Sequence, residues 1–363
     1  MARFFVLLIV LGVIGACIFA WTQTAWDQPG PSGSETIVLI PPGTRAHDVA
    51  QMLEDKGAVS NVWLFEFGLR SRKLADKIKA GEYALPASAS MGAIALILVE
   101  GRSIQHKLTA AEGLTSDMIW KMVQHHSALE GDAGPVPEEG TLLPETYLFT
   151  RGQIRAGLLD QMRRAQERFL AARWSGRAEG LPFSTMREAV ILASIVEKET
   201  ALPQERPHIA SVFVNRLKVR MRLQSDPTII YGLTKGYPLG RGIRQSEIEG
   251  ATPYNTYVIA GLPPGPIANP GKDAIAAVLN PLVGEDLFFV ANGKGGHVFA
   301  ASMNDHARNV VAFRNIERAA RREVQASEAL NATDNVPLPD AALPALPQTK
   351  IKPKPAPRRR ARP

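Results

Sequence analysis

Apolar positions follow three regimes along the chain: one unbroken run, then short segments of strand and helix period, then a long helical pattern ending in acids. The unbroken run is FFVLLIVLGVIGACIFAW, Phe4 to Trp21, 18 residues without a charge. A run of about 18 apolar residues is the minimum for a membrane-spanning helix. Arg3 precedes it and no basic residue follows closely. This predicts a cytoplasmic N-terminus, with everything past Trp21 outside the inner membrane. The run is longer than the apolar core of a cleaved signal. IGAC, residues 14–17, has the form of a lipoprotein cleavage site, but IFAW carries the apolar run past Cys17. An anchor over 1–22 and a polar Pro/Gly/Ser linker over 23–35 are expected.

The next regime repeats one unit. TIVLIPPGTRAHDVAQMLEDKG predicts a strand, a turn and an amphipathic helix with Val49, Met52 and Leu53 at helical spacing. IQHKLTAAEGLTSDMIWKMVQ has the same order, with Gly113 matching Gly43 and Met118, Ile119 and Met122 on the helix. VWLFEFGLR and MGAIALILVEG between them read as helices, and GEYALP as a short strand. The chain thus carries a small α/β module over 36–105 and a partial copy with a junction over 106–152. Such a module either positions a ligand or holds the next domain off the membrane.

A charged amphipathic helix is expected from Gln153 to Trp174, opening a larger α+β domain over 153–325. In LPFSTMREAVILASIVEKET, Thr185 and Glu188 form a capping-box pattern, which gives Glu188 a structural task. Leu192, Ile195, Val196 and Glu199 fall on one stripe. Glu197 lies about 160° away around the helix. A carboxyl that prolongs a buried stripe near a helix C-terminus is desolvated and opposed by the dipole, so its pKa rises. Such a group suits general acid catalysis. The competing reading pairs Glu199 with a buried arginine, Arg216 or Arg222.

Composition changes little. Lys350, Lys352, Lys354, Arg358, Arg359, Arg360 and Arg362 equal the whole net charge of +7, so no basic folded face for nucleic acid is implied. The Pro/Ala-rich basic tail, 326–363, is expected to be disordered. One cysteine, Cys17, excludes an internal disulfide and a cysteine zinc site. Ser225, Asp226 and Pro227 read first as a turn. Tyr254, Asn255 and Tyr257 beside GLPPGPIANPG suit either sugar recognition or a rigid loop. ANGKGGHVFA lacks the strand–loop–helix order of a nucleotide site. His297 and His306 have no standard zinc spacing.

ASIVEKET, VFVNRL, RLQSDPTIIYG, PYNTY, GLPPGPIANPG and GKGGHVF, in this order, resemble the MltG-like (YceG-like) endolytic murein transglycosylases. The resemblance runs from the apolar segment to about Arg318. It implies an inner-membrane protein with one transmembrane helix, a LysM-like module over 36–105 and a periplasmic catalytic domain. It implies cleavage of the β-1,4 bond from N-acetylmuramic acid to N-acetylglucosamine in nascent peptidoglycan, leaving 1,6-anhydro ends and limiting strand length. Glu199 matches the family's catalytic glutamate. Tyr254 and Asn255, with Gln224 and Ser225, become candidate substrate contacts. Peptidoglycan strands are the expected partner, with penicillin-binding-protein synthases beside them. Two positions depart from the family: Ala307 follows His306 where an asparagine is common, and GTLLPETY stands for GYLFPDTY.

In the mechanism so implied, protonated Glu199 donates to the bridging oxygen, then takes the proton of the C6 hydroxyl as that oxygen closes on C1. The nucleophile is intramolecular, so water activation is unnecessary. No metal or organic cofactor is required. A rival class is a non-catalytic, membrane-anchored glycan-binding scaffold with Glu199 in an ion pair. A third is a metal-dependent hydrolase built on His297, Asp305 and His306.

Overall fold

The computed structural model describes residues 2–333. The chain forms two units, residues 1–307 and 308–363. The fold is α+β, with helices packed around small two-stranded sheets.

Helix α1 (Ala2–Asp27) has 26 residues. At about 1.5 Å per residue it exceeds the ~30 Å of a bilayer's hydrocarbon core. Among the described residues it is the one helix long and apolar enough to cross a membrane, and its side chains are exposed from Arg3 to Trp21. This fits a single-pass anchor. The linker does not begin at residue 23, because the helix continues to Asp27 and docks. Trp26 is buried and stacks on Phe65 with ring centroids 5.7 Å apart. The Arg72 guanidinium lies 4.4 Å over its ring. A Cβ on Gly68 would fall 2.0 Å from the indole, so only glycine admits this approach.

The first core follows. Strand β1 (Thr36–Ile40) leads through α2 (Ala46–Asp55) and α3 (Val62–Ser71) to β2 (Gly81–Leu85), and α4 (Met91–Glu100) closes the module. β1 and β2 pair antiparallel, Thr36 opposite Leu85, so Val38, Ile40, Tyr83 and Leu85 alternate inward. They meet Val49 and Leu53 of α2 and Phe65 of α3.

The partial copy comprises β3 (Gln105–Thr109), α5 (Ser116–Gln124), β4 (Leu129–Glu130), β5 (Thr146–Thr150) and β6 (Gln153–Ile154). β3 pairs antiparallel with β5, and the short β4 runs parallel to β6. The matched glycines do the same work in both copies. Gly43 and Gly113 turn from strand toward helix at φ of 79° and 76°, the left-handed region that disfavours a Cβ. The inward face of α5 is Ile119 and Val123; Met122 is exposed, unlike the expected face.

Helix α6 (Arg155–Trp174) serves two cores. Leu158, Leu159 and Met162 belong to the second, and Leu170 to the third. The helix thus joins the second core to the third within the unit formed by residues 1–307. The third core is built on α7 (Met186–Glu199), α8 (Arg206–Lys218), α9 (Asp226–Thr234) and α11 (Lys272–Leu279), with the single turn α10 (Gln245–Ile248) outside it. A hairpin of β7 (Phe288–Ala291) and β8 (His297–Ala300) then precedes α12 (Met303–Thr333). α12 continues through residues 326–333, where a disordered tail was expected; residues 334–363 lie outside the described residues.

Candidate functional site

Helix α7 carries the two acids. Its start is the capping box read from the sequence. Thr185 Oγ1 accepts from the Glu188 N–H at 3.2 Å, and Glu188 Oε2 accepts from the Thr185 N–H at 2.9 Å. The helix is buried on every side from Ala189 to Glu197, packed among α8, α9 and α11. It stops at Glu199 because Thr200 is extended, at φ −142° and ψ 136°.

Full burial changes the argument about faces. Glu197 is also buried, so the apolar stripe alone does not separate the two acids. Their partners do. Glu197 Oε1 accepts from Arg206 Nη2 at 2.8 Å, and its Oε2 accepts from the Gly271 N–H at 2.9 Å. Arg206 is itself buried. Burial pushes the Glu197 carboxyl up, and the Gly271 N–H and the arginine charge act against it. Glu199 has no ion-pair partner within bonding reach among the described residues. Its Oε1 accepts a short hydrogen bond from the Ser225 hydroxyl.

The arginines named as rivals for Glu199 are engaged elsewhere. Arg216 donates to the carbonyls of Leu287 at 2.6 Å and Leu223 at 2.5 Å. Arg222 donates to the Tyr257 carbonyl at 3.0 Å. Desolvation pushes the Glu199 pKa up to about 7, reinforced by the charge of Asp226 and opposed by the Ser225 hydroxyl, His297 and Arg216. The side chain is half-buried by area yet enclosed by protein at longer range. That combination marks the floor of a concave site. The acid is thus poised between its two protonation states near neutral pH.

The cleft above it holds about 400 Å³. Gln224, Asp226, Tyr257, Phe288 and His306 line it with Glu199 and Arg216. Gln224 adopts a left-handed φ of 51°, unusual for a side-chain-bearing residue, and its N–H is tied to the Thr256 carbonyl at 3.1 Å. The kink leaves Gln224 and Asp226 exposed on either side of buried Ser225. Asp226 Oδ1 accepts from the Tyr257 hydroxyl at 2.6 Å.

The sequence-predicted residues divide accordingly. Glu199 and Gln224 come together in the cleft. Ser225 is only 1% exposed, so it holds Glu199 and presents no surface to a ligand. Asn255 is fully buried, and its Nδ2 donates to the carbonyls of Glu247, Ile248 and Gly250. It closes its own loop and offers nothing to substrate. Tyr254 packs on Tyr231 with ring centroids 4.8 Å apart and does not line this cleft. Within PYNTY the useful positions are one step later. Thr256 braces the Ser225 N–H at 2.9 Å, and Tyr257 faces the cavity.

Tyr257, read with Tyr254 and Asn255 as suited to sugar recognition, lines the cleft, whereas Asp226 and Phe288 were not among the candidate residues. The turn chemistry of Asp226-Pro227 concealed the first, since Pro at the start of α9 explains that pair locally. A weak signal existed in the alternation of polar and small residues through QSD.

Among the described residues no three His, Cys, Asp or Glu side chains cluster with metal-binding geometry. His297 Nδ1 meets Glu205 Oε2 at 2.8 Å, and the His306 ring stacks on Phe288 at 5.1 Å.

A membrane-type helix leading into an α+β body, with a desolvated acid at the floor of a polar cleft, defines the class. The profile of the YceG-like family matches residues 38–312, and the chain belongs to that family. A Streptococcus pneumoniae protein named endolytic murein transglycosylase is 31% identical over 325 residues, covering 75% of this chain and 57% of its own length. A Bacillus subtilis protein of the same name is 31% identical over 207 residues, 56% of this chain and 52% of its own. The chain spans little more than half the length of these curated relatives. A crystal structure of a YceG-like protein from Listeria monocytogenes aligns at 27% identity with a TM-score of 0.48, covering 76% of this chain and 99% of that one.

Proposed function

We propose that this protein is an endolytic murein lytic transglycosylase that cleaves peptidoglycan strands and leaves 1,6-anhydro ends, with Glu199 as its acid and base. The observation that carries the reading is the isolation of Glu199. It is desolvated to a pKa of about 7, oriented by Ser225 and unpaired, while its neighbour Glu197 is neutralised by Arg206. The names borne by the relatives support the same activity.

In this account Glu199 enters protonated and donates to the glycosidic oxygen as the bond to C1 breaks. The developing cation faces the Asp226 carboxylate, which Tyr257 holds. Ionised Glu199 then takes the proton of the C6 hydroxyl, and O6 closes on C1. Tyr257 and Phe288 supply ring faces for sugar, and Gln224 supplies an amide. Nothing in the scheme needs a metal.

The β1–α2–α3–β2 order supports reading 36–105 as a LysM-like glycan-holding module. Arg3, at the start of α1 and ahead of its apolar run, supports a cytoplasmic N-terminus and a periplasmic body at the inner membrane. Such a placement suits work beside penicillin-binding-protein synthases.

Asp226 favours a second reading. Two carboxyls in one cleft are what a hydrolase needs to activate water. Digestion of isolated peptidoglycan followed by mass spectrometry decides. Anhydro ends support the proposal, ends that have gained water support hydrolysis, and binding without product would leave a glycan-binding scaffold.

A further inference from the structure

Arg206 and Arg216 are the arginines buried among the described residues, and they are compensated differently. Arg206 reaches the carboxylates of Glu197 at 2.8 Å, Glu112 at 2.9 Å and Asp273 at 3.7 Å. Arg216 is 7% exposed and has no ion-pair partner among the described residues. A guanidinium stays charged in any protein setting. Buried charges are ordinarily paired, because desolvation is costly.

The Arg216 side chain is also fixed. Nε donates to the Leu287 carbonyl at 2.6 Å and Nη1 to the Leu223 carbonyl at 2.5 Å. Leu287 and Leu223 immediately precede Phe288 and Gln224, which line the Glu199 cleft, and Cζ lies 5.6 Å from the Phe288 ring centroid. Two carbonyls thus hold the guanidinium against the cleft wall. The third nitrogen, Nη2, donates to nothing among the described residues and is not sealed from solvent. Arg216 lines the cleft, so this nitrogen is open to whatever occupies it.

The groups around it do not neutralise it. Glu199 is beyond ion-pairing distance and, in the proposed reaction, starts protonated. Asp226 accepts from the Tyr257 hydroxyl. His306 brings no negative charge, and burial together with the Arg216 cation holds its pKa below the ordinary value. Burial pushes the Arg216 pKa down, and Glu199 acts against that only when ionised. The missing counter-charge is therefore one that arrives with the ligand. Acetamido groups and hydroxyls, which both sugars of a peptidoglycan strand carry, are neutral. The muramyl ring alone carries a lactyl ether on C3, ending in a carboxyl group. C3 is two ring positions from C1, where the bond at Glu199 breaks, so one cleft can hold both.

We infer that Arg216 distinguishes muramic acid from glucosamine in this cleft by donating Nη2–H to the lactyl carboxyl group. The inference rests on the peptidoglycan reading above and adds the residue that reads the substrate. It also fixes which sugar offers C1 to Glu199: the muramyl ring, as closure by its own C6 hydroxyl requires.

The test measures binding without cleavage, by calorimetry on full-length Glu199→Gln protein in detergent, whose amide mimics the protonated acid. The ligands are a peptide-free tetrasaccharide of alternating N-acetylglucosamine and N-acetylmuramic acid, its lactyl methyl ester, and chitotetraose, which has the same backbone without lactyl groups. The acid form should bind about tenfold more tightly than chitotetraose, the scale of one charge-assisted hydrogen bond. The ester, which has lost only the charge, should forfeit most of that preference. Adding Arg216→Gln should cut the preference to about twofold or less. If the lost carbonyl ties merely loosened the cleft, both glycans would weaken together and the ratio would survive, which would overturn the inference. Where Arg216→Gln does not fold, the ester decides: an ester bound as tightly as the acid, or chitotetraose bound as tightly as either, overturns it. Failure of all the glycans to bind would instead remove the peptidoglycan reading itself, and the inference with it.

Discussion

Glu197 and Glu199 stand two residues apart on one helix and have opposite chemistry, because Arg206 lies 2.8 Å from the first while the second meets only the Ser225 hydroxyl. Sequence distance says nothing of this, since Arg206 reaches back from the next helix. The pair assigns one acid to holding the fold and leaves the other free to exchange a proton.

Removing the structural acid should show in stability. Glu197→Gln removes the one buried partner of Arg206 and leaves it the more exposed Glu112 at 2.9 Å and Asp273 at 3.7 Å; losing one partner of a buried pair costs up to about 3–5 kcal/mol. Thermal unfolding should report a large drop in Tm, while protein still folded at 25 °C keeps turnover within about threefold of wild type. An unchanged Tm with lost turnover would transfer the catalytic assignment to Glu197.

The raised pKa of Glu199 has a stability cost with a definite sign. Between its ordinary value of 4.5 and about 7 the unfolded chain releases the proton and the native protein keeps it. Native stability therefore falls as pH rises through this window. Glu199→Gln cannot ionise and escapes the loss. The variant should match wild type in Tm near pH 4.5 and exceed it at pH 8; a Tm difference that does not change with pH would contradict the desolvated state of Glu199.

Ser225 acts through Glu199. Its hydroxyl favours the ionised carboxylate, so Ser225→Ala should raise the Glu199 pKa further and move the alkaline limb of the pH–rate profile upward. The loss of a hydrogen bond to a charged group, about 1.5 kcal/mol, corresponds to about tenfold in rate at the optimum. A uniform loss of rate with an unmoved limb would mean that Ser225 merely packs the turn.

Trp26 couples the membrane helix to the first core. Trp26→Ala should cost about 3–5 kcal/mol locally, as for other large-to-small aromatic changes. Hydrogen exchange should quicken in α3 and α4 and stay slow in α7. Equal quickening in α7 would show that the cores unfold together.

Local signals were legible in the sequence, and assembled ones were not. The apolar run, the capping box at Thr185 and Glu188, and the paired turns at Gly43 and Gly113 all rest on contacts within a few residues, and all are present. The helix-face argument singled out Glu199, but its premise was incomplete, because a helix buried on every side has no informative stripe. Arg206, which separates the two acids, sits on another element. The cleft joins Glu199 to Phe288 and His306, residues about ninety or more positions away that a hairpin and a helix start bring together. Asn255 misled because an amide between two tyrosines suits a sugar as well as it suits a loop. Only its three backbone acceptors decide.

The central claim is that one exchangeable proton on Glu199 breaks and closes the bond. The direct measurement is mass spectrometry of the ends released from isolated peptidoglycan by wild type and by Glu199→Gln at equal folded concentration. Loss of a general acid typically lowers rate by about 10²–10⁴-fold. The account predicts abundant 1,6-anhydro ends from wild type and a loss of that size in the variant, whose Tm is at least that of wild type at pH 8. Anhydro ends released by Glu199→Gln at more than about a tenth of the wild-type rate would contradict it.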